Sequence, residues 1–409
     1  MLLNFFKNTK KNHLLAISVI SLFPISAFFG SGIINFQIIL LDLIFLYEIF
    51  KNKKYSYLDN KFFYLLLVLW LMLLINLFFS INFNNSLLRS FGFCRFIFFV
   101  FALKFYIFDS DENYKKYIFS IWTATFLIVS IDLVFEFIFG KNTLGFESYM
   151  PGRLSGFFNQ ELKIGYIYSA ISLIVLSYIY FSFKNNRVST NLIYLIFFIT
   201  LLISFVIGER ANFLKTFLMF LLFIFLFENK FYKFKFSLIL AFCLIIFITI
   251  VSLGENNQYK YRFWDMFLKP MTNNPIEYIK NSNYGDHYSA AYKVFKNNKS
   301  FGVGLKNYRI EVSSGNYGKN TSTHPHEKHL ELLSEVGLIG YFLFISFFLY
   351  SILNSIKLFL NNKNLYQLSG LLFIITNLIP LIPSGSLFTT YTAAFFWFNF
   401  AFMISSTKK

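Results

Sequence analysis

Ser322-Thr323-His324-Pro325-His326-Glu327-Lys328-His329 is the densest gathering of proton-handling side chains in the sequence. Pro325 suits the first position of a helix and Glu327 suits its positive end, so a helix is expected to begin here and run amphipathically into an apolar stretch. His326 would then lie in the first turn, where the helix dipole disfavours an imidazolium. A neutral imidazole beside an anion-friendly helix start could accept a proton next to a phosphate group. The plainer reading is a capping or interfacial histidine that tethers a loop.

Three arginines could meet an anion. Arg210, in Gly208-Glu209-Arg210-Ala211-Asn212, is wedged between two apolar stretches with almost no loop. A charge at that depth faces the protein interior or a cavity by default, and a guanidinium fork matches phosphate oxygens at two points. A salt bridge with Glu209, or a snorkelling side chain, is the alternative. Arg262 stands in Tyr259-Lys260-Tyr261-Arg262-Phe263-Trp264, where an interfacial aromatic anchor competes with a ligand role. Arg153 lies among glycines that permit close backbone approach, and could equally be a solvated loop cation.

Gly302-Val303-Gly304-Leu305-Lys306-Asn307-Tyr308-Arg309 lacks the third glycine of a dinucleotide fingerprint and the Gly-Lys-Ser/Thr of a P-loop. It reads as a tight turn joining loop helices. Asp286 and His287 have no further ligand at metal spacing, so neither a metal nor another cofactor is expected. Cys94 and Cys243 both sit inside apolar runs, with no disulfide or zinc spacing.

The elements that must position these residues are membrane helices. Of 409 residues, 56% are hydrophobic and only 14% charged, which excludes an ordinary soluble enzyme and a disordered chain. The net charge of +17 does not indicate nucleic acid, because the basic residues fall in short runs between apolar stretches, such as Lys51, Lys53 and Lys54. A hydrocarbon core of about 30 Å takes roughly 20 apolar residues per helix. On that window the chain is an all-α integral membrane protein of about 12 transmembrane helices. The first six lie near 13–30, 32–50, 62–80, 87–107, 116–139 and 164–183. The others lie near 191–208, 211–227, 234–253, 334–356, 366–383 and 387–405. Basic residues at Lys7–Lys11 precede the first span, which is expected to be a retained helix and not a cleaved signal. Lys and Arg crowd the even-numbered gaps and the ends, so both termini are expected in the cytoplasm. On the opposite side, segments 140–163 and 254–333 break the pattern of short gaps. The second is polar, tyrosine-rich and carries His287, His324, His326 and His329. Long ordered loops tend to carry function, which puts any chemistry on the outer face.

Taken together, these residues resemble the O-antigen ligase and O-antigen polymerase superfamily, bacterial inner-membrane glycosyltransferases of the GT-C type. The family's motif is His, then Asn, Ser or Gln, nine residues, Gly, two residues, then Gly, Thr or Tyr. His326, Glu327, Gly337 and Gly340 fit that spacing, with Glu327 departing from the usual neighbour. Gly208-Glu209-Arg210 looks like the family's arginine at the outer end of a span, Ala290–Arg309 like the segment before its histidine, and Pro383–Phe388 with Trp397 like its closing span. Arg262 is the nearest match by spacing to a second, loop arginine. The resemblance covers mostly 150–400, which suggests residues 1–140 as N-terminal transmembrane helices and 141–405 as the ligase-like region with a helical periplasmic loop at 254–333.

What the resemblance implies is a metal-independent transfer from undecaprenyl-pyrophosphate-linked glycan at the periplasmic face. His326 would accept the proton of the acceptor hydroxyl. Arg210 and Arg262, with Arg153 as a further pyrophosphate ligand, would neutralise the leaving group. Partners would be that lipid-linked donor, a lipid A-core or glycan acceptor, and membrane lipids. The ligase is the first reading and the polymerase its alternative within the family. A transporter without catalysis is the alternative of another class; it predicts internal repeats and broken helices near the midplane, and no convincing repeat is visible.

Overall fold

The computed structural model describes residues 11–159, 161–183, 189–227, 257–315, 317–318 and 321–405. The regular elements found there are all helical. Among the described residues, six helices are long and apolar enough to cross a membrane: Ser31–Lys51, Lys61–Phe79, Phe83–Phe108, Glu112–Phe139, Ile164–Phe183 and Lys328–Asn362. Asn12–Ser21 and Phe23–Phe29 make a bent pair, with an angle of 52°, that counts as one more. Pro24 at the start of the second piece removes a donor and accounts for the break.

The expected spans near 191–208 and 211–227 coincide with helices Ser189–Val206 and Arg210–Phe227. Those near 366–383 and 387–405 are shorter than expected, Leu365–Asn377 and Thr390–Ile404. At 1.5 Å per residue, thirteen residues give only about 20 Å; Pro380 and Pro383 end the first of these helices early and delay the second. The span expected near 234–253, with Cys243, lies outside the described residues. In the other direction, Lys328–Asn362 exceeds its expected bounds because it joins two helices across a break at Gly337.

The chain divides into two compact units. The first comprises Met1–Ile118, Lys280–Asn362 and Leu378–Lys409. Its core is aromatic: Trp397, fully buried on Thr390–Ile404, meets Phe93, Phe96, Phe348 and Phe400 with ring centroids 5.4 to 6.4 Å apart. Such edge and offset contacts add to the burial of large apolar area. The loop helices Asn283–Asn297 and Tyr308–Ser313 close over a smaller cluster of Ala290, Ala291, Val294, Val303, Tyr308 and Val312. The turn between them is tied to the end of helix Lys61–Asn76 and to the helix that follows it. The Asn76 side chain donates to Phe301 O at 2.5 Å, and Ser86 Oγ donates to Leu305 O at 2.8 Å.

The second unit comprises Phe119–Ile279 and Lys363–Asn377. Helices Ile164–Phe183 and Leu365–Asn377 meet through small polar residues. Ser177 and Ser369 hydroxyls lie 2.9 Å apart, and Ser369 Oγ donates to Leu173 O at 3.0 Å. Small residues at such contacts let apolar helices approach where no water is present to drive them together. Gln258–Lys260 continues into a π-helical run, Tyr261–Leu268, and then Lys269–Asn273. Phe205 and Phe263 anchor that run on the end of helix Ser189–Val206, with ring centroids 4.6 Å apart.

Candidate functional site

Arg153, Arg210 and Arg262 come together in the second unit. The chain there crosses itself closely: Leu154 N donates to Ile207 O at 3.0 Å, and a Cβ on Gly208, whose φ is 77°, would collide with the Gly152 carbonyl. Only glycine satisfies both demands at position 208. Glu209 is buried directly after that crossing and bonds to the Arg153 guanidinium and to the Asn212 side-chain amide. Glu209 thus serves Arg153, not Arg210 as the spacing allowed. Arg210 instead donates through Nη1 to the backbone carbonyls of Arg262 and Met266, at 3.3 and 3.4 Å. Arg262 Nη2 returns a bond to Gly208 O at 3.2 Å, while its buried Nε has no acceptor.

Among the described residues, then, one carboxylate bonds to this group of three guanidiniums. The other two spend their protons on neutral carbonyls, at lengths toward the weak end for N–H···O. Burial foremost, then Arg153 and Arg210 nearby, pushes Arg262 down to about 10, so it remains charged at neutral pH. The cluster carries surplus positive charge in a partly dehydrated setting, which favours an anion with several oxygens. The turn that follows Arg153 is held by two residues that the sequence did not single out. Glu136, buried near the end of Glu112–Phe139, accepts Ser155 N at 3.0 Å and Gly156 N at 2.7 Å. Asn142 donates to Gly156 O at 2.7 Å and accepts Phe146 N at 2.8 Å. An acid inside an apolar span is a recognisable signal of function or positioning, and Glu136 could have been found that way.

The histidine run belongs to the first unit. Its helix begins at Lys328, three residues later than expected, with Glu327 as the cap: the carboxylate accepts Leu330 N at 2.8 Å. His326 is therefore outside the first turn. Its φ of 57° is left-handed, a strained setting for a non-glycine residue. Two bonds hold it: Ser384 N donates to His326 O at 2.7 Å, and Ser322 Oγ lies 3.0 Å from Nε2. The imidazole stacks on His287 with centroids 5.1 Å apart and meets His324 edgewise at 5.2 Å. Burial, then the neighbouring His324 and His287, pushes His326 down to about 4. The expectation of a neutral imidazole thus stands on desolvation and not on the helix dipole.

His324 is also pushed down to about 4, by burial foremost, with Lys328, Arg309 and His287 adding to it and a Ser384 backbone acceptor opposing. His329 has a different job. Its ring nitrogens meet Leu378 O at 2.8 Å and the Tyr341 hydroxyl at 3.2 Å, so it fastens the helix start. The glycines of the motif are structural. Gly337, with φ 66° and ψ −169°, breaks the helix, and the turn 299–304 fills the break. Val303 N and Gly304 N donate to Ser334 O and Glu335 O, both at 2.9 Å, while Leu338 N and Ile339 N donate to Lys299 O and Ser300 O. Backbone groups orphaned on either side of the break are thereby satisfied. The Gly302-Val303-Gly304 run is a tight turn, as its sequence suggested.

Apolar helices of membrane-crossing length, a half-buried histidine and a cluster of three guanidiniums are thus what a membrane protein presents here. Residues 195–345 match the family model described as O-antigen ligase, and the resemblance read from the residues is borne out over that segment. It contains Arg210, Arg262, His326, Gly337 and Gly340, while Arg153 lies outside it. The match implies an activity of the O-antigen ligase or polymerase kind, a glycosyltransferase-like enzyme acting on lipid-linked glycan. No curated protein matches the chain.

Proposed function

We propose that this protein transfers an O-antigen-type glycan from undecaprenyl pyrophosphate to an acceptor hydroxyl, with lipid A-core as the acceptor. The reaction takes place at the periplasmic face of the bacterial inner membrane, in a chain of about twelve spans with both termini cytoplasmic. Residues 141–405 form the transferase region. The observation that carries this reading is the group of three guanidiniums bonded, among the described residues, by one carboxylate, with Arg210 and Arg262 donating to backbone carbonyls. Arg210 and Arg262 can exchange those carbonyls for phosphate oxygens, and Arg153 adds a third positive charge. As the bond between the anomeric carbon and the lipid pyrophosphate breaks, charge grows on the leaving oxygen. Preformed donors stabilise such charge best where water is excluded. The three arginines supply the positive charge that a divalent metal supplies in other transferases, so the reaction needs no metal.

His326 takes the proton of the acceptor hydroxyl as that oxygen attacks. Its imidazole is neutral at physiological pH, so it is available as a base without first losing a proton. The test is reconstitution with undecaprenyl-pyrophosphate glycan in EDTA, with and without lipid A-core, comparing wild type with His326→Ala. Glycan on lipid A-core from the wild type alone supports the ligase. Longer lipid-linked glycan without added acceptor makes it a polymerase. Absence of transfer under every condition refutes the reading and turns attention to transport.

A further inference from the structure

Glu331 lies one turn into the helix that follows His326, and its buried side chain joins three segments. One carboxylate oxygen accepts Leu387 N at 2.9 Å. The other stands 3.6 Å from Nδ1 of His324. The Leu387 segment is the same one whose Ser384 N–H holds the His326 carbonyl, and Arg89 fixes its far end by donating to Phe388 O at 3.1 Å. His324, for its part, lies two residues before His326 and touches its ring. Glu331 therefore grips both flanks of a histidine whose backbone is strained and must be held from outside.

The charges around the site make the same residue important electrically. His287, Arg309 and Lys328 face His324, and Arg89 faces Glu331. A proton arriving on His326 creates a cation amid these groups. The acids that answer them are Glu327, committed to capping its helix, Glu335, and Glu331. Of these, Glu331 is the one within ion-pair distance of a histidine in the run.

We propose that Glu331 is the positioning residue of the histidine site: it holds His324 and the 384–388 segment on either side of His326, and its carboxylate offsets the charge formed when His326 takes up a proton. A carboxylate facing Nδ1 favours the Nδ1–H tautomer of His324 and leaves Nε2 as the acceptor nitrogen. This inference rests on the base role given to His326, and the experiment separates the two.

The variants are Glu331→Gln and Glu331→Ala in the full-length protein, labelled with 15N-histidine in detergent. Glutamine preserves shape and still accepts from Leu387 N, but removes the charge and can turn an amide N–H toward His324. The wild type should show His324 as the neutral Nδ1–H tautomer, and Glu331→Gln should change that signature while melting within a few degrees of wild type. The turnover rate of Glu331→Gln should fall roughly tenfold or more with the donor KM unchanged, and Glu331→Ala should fall at least as far. Unchanged histidine resonances in Glu331→Gln, an imidazolium or Nε2–H form of His324 in the wild type, or full turnover in Glu331→Gln would each overturn the proposal. A wild type that transfers nothing would defeat the proposed reaction, yet the resonances would still decide whether Glu331 governs His324.

Discussion

Gly337→Ala tests why the histidine motif contains a glycine eleven residues after His326. With φ 66° and ψ −169°, position 337 occupies a region reserved almost entirely for glycine, and holding another residue there costs about 1–3 kcal/mol. An added Cβ would also meet the Ser300 carbonyl and lie 2.5 Å from Gly302 N, so the turn 299–304 must withdraw. Withdrawal breaks the four backbone bonds that bridge the break, from Val303, Gly304, Leu338 and Ile339. At about 1 kcal/mol net for each bond, bonds and strain together come to about 5–7 kcal/mol, a large part of a typical folding free energy. The control is Gly315→Ala: its φ is 82° but nothing lies within 4 Å of the added Cβ, so only backbone strain remains, about 1–3 kcal/mol. Thermal melting of both variants in detergent, followed by size-exclusion chromatography, measures the difference. The expected result is a large drop for Gly337→Ala and a small one for Gly315→Ala. Equal melting of Gly337→Ala and wild type would refute the role assigned to the break.

Four further outcomes are expected. Arg153→Ala leaves the buried Glu209 carboxylate without its guanidinium and should destabilise the protein by about 3–5 kcal/mol; the double variant Arg153→Ala/Glu209→Gln should recover much of that in the same melt. Arg210→Lys should regain little of the transfer lost in Arg210→Ala, because an ammonium cannot offer a two-point fork; a single-turnover assay on lipid-linked glycan checks it. His324 and His326 both sit near 4 against an ordinary value near 6.5, so folding favours their neutral forms. The stability this gives is present above about pH 6.5 and is lost as pH falls toward 4, and a series of melts should show a shallower acid loss in His326→Asn. Glu136→Ala should release the 155–156 turn and raise the donor KM through Arg153, with His326-dependent chemistry unaffected once donor saturates.

The helices were legible because apolar length in a membrane protein is close to a direct readout. Ser31–Lys51 and Glu112–Phe139 fall within a few residues of expectation. Their limits were less so where a break or a proline intervened, as at Gly337 and after Asn377. Arg153, Arg210 and Arg262 could be chosen one by one from their surroundings, and Arg262 proves to be hydrogen-bonded to the Gly208 carbonyl beside Arg210. What could not be read was who partners whom. Glu209 adjoins Arg210 in sequence yet bonds to Arg153, because the chain crossing at Gly208 brings a segment from more than fifty residues away. Glu331 escaped notice for a similar reason: its acceptor role depends on Leu387, and no local pattern announces a contact that distant.

The break at Gly337 also bears on how the protein meets membranes of unequal thickness. The stretch from Leu338 to Asn362 is about 37 Å long at 1.5 Å per residue, more than a typical hydrocarbon core, and can lean or extend past it. A continuous helix would pass every change of lean upward to its first turns. Here the ladder is interrupted, and the turn 299–304 is joined to both sides of the interruption. Adjustment to a thinner or thicker bilayer can therefore be absorbed below Gly337, while the turns bearing Glu327 and Glu331 keep their orientation toward His324 and the Leu387 segment.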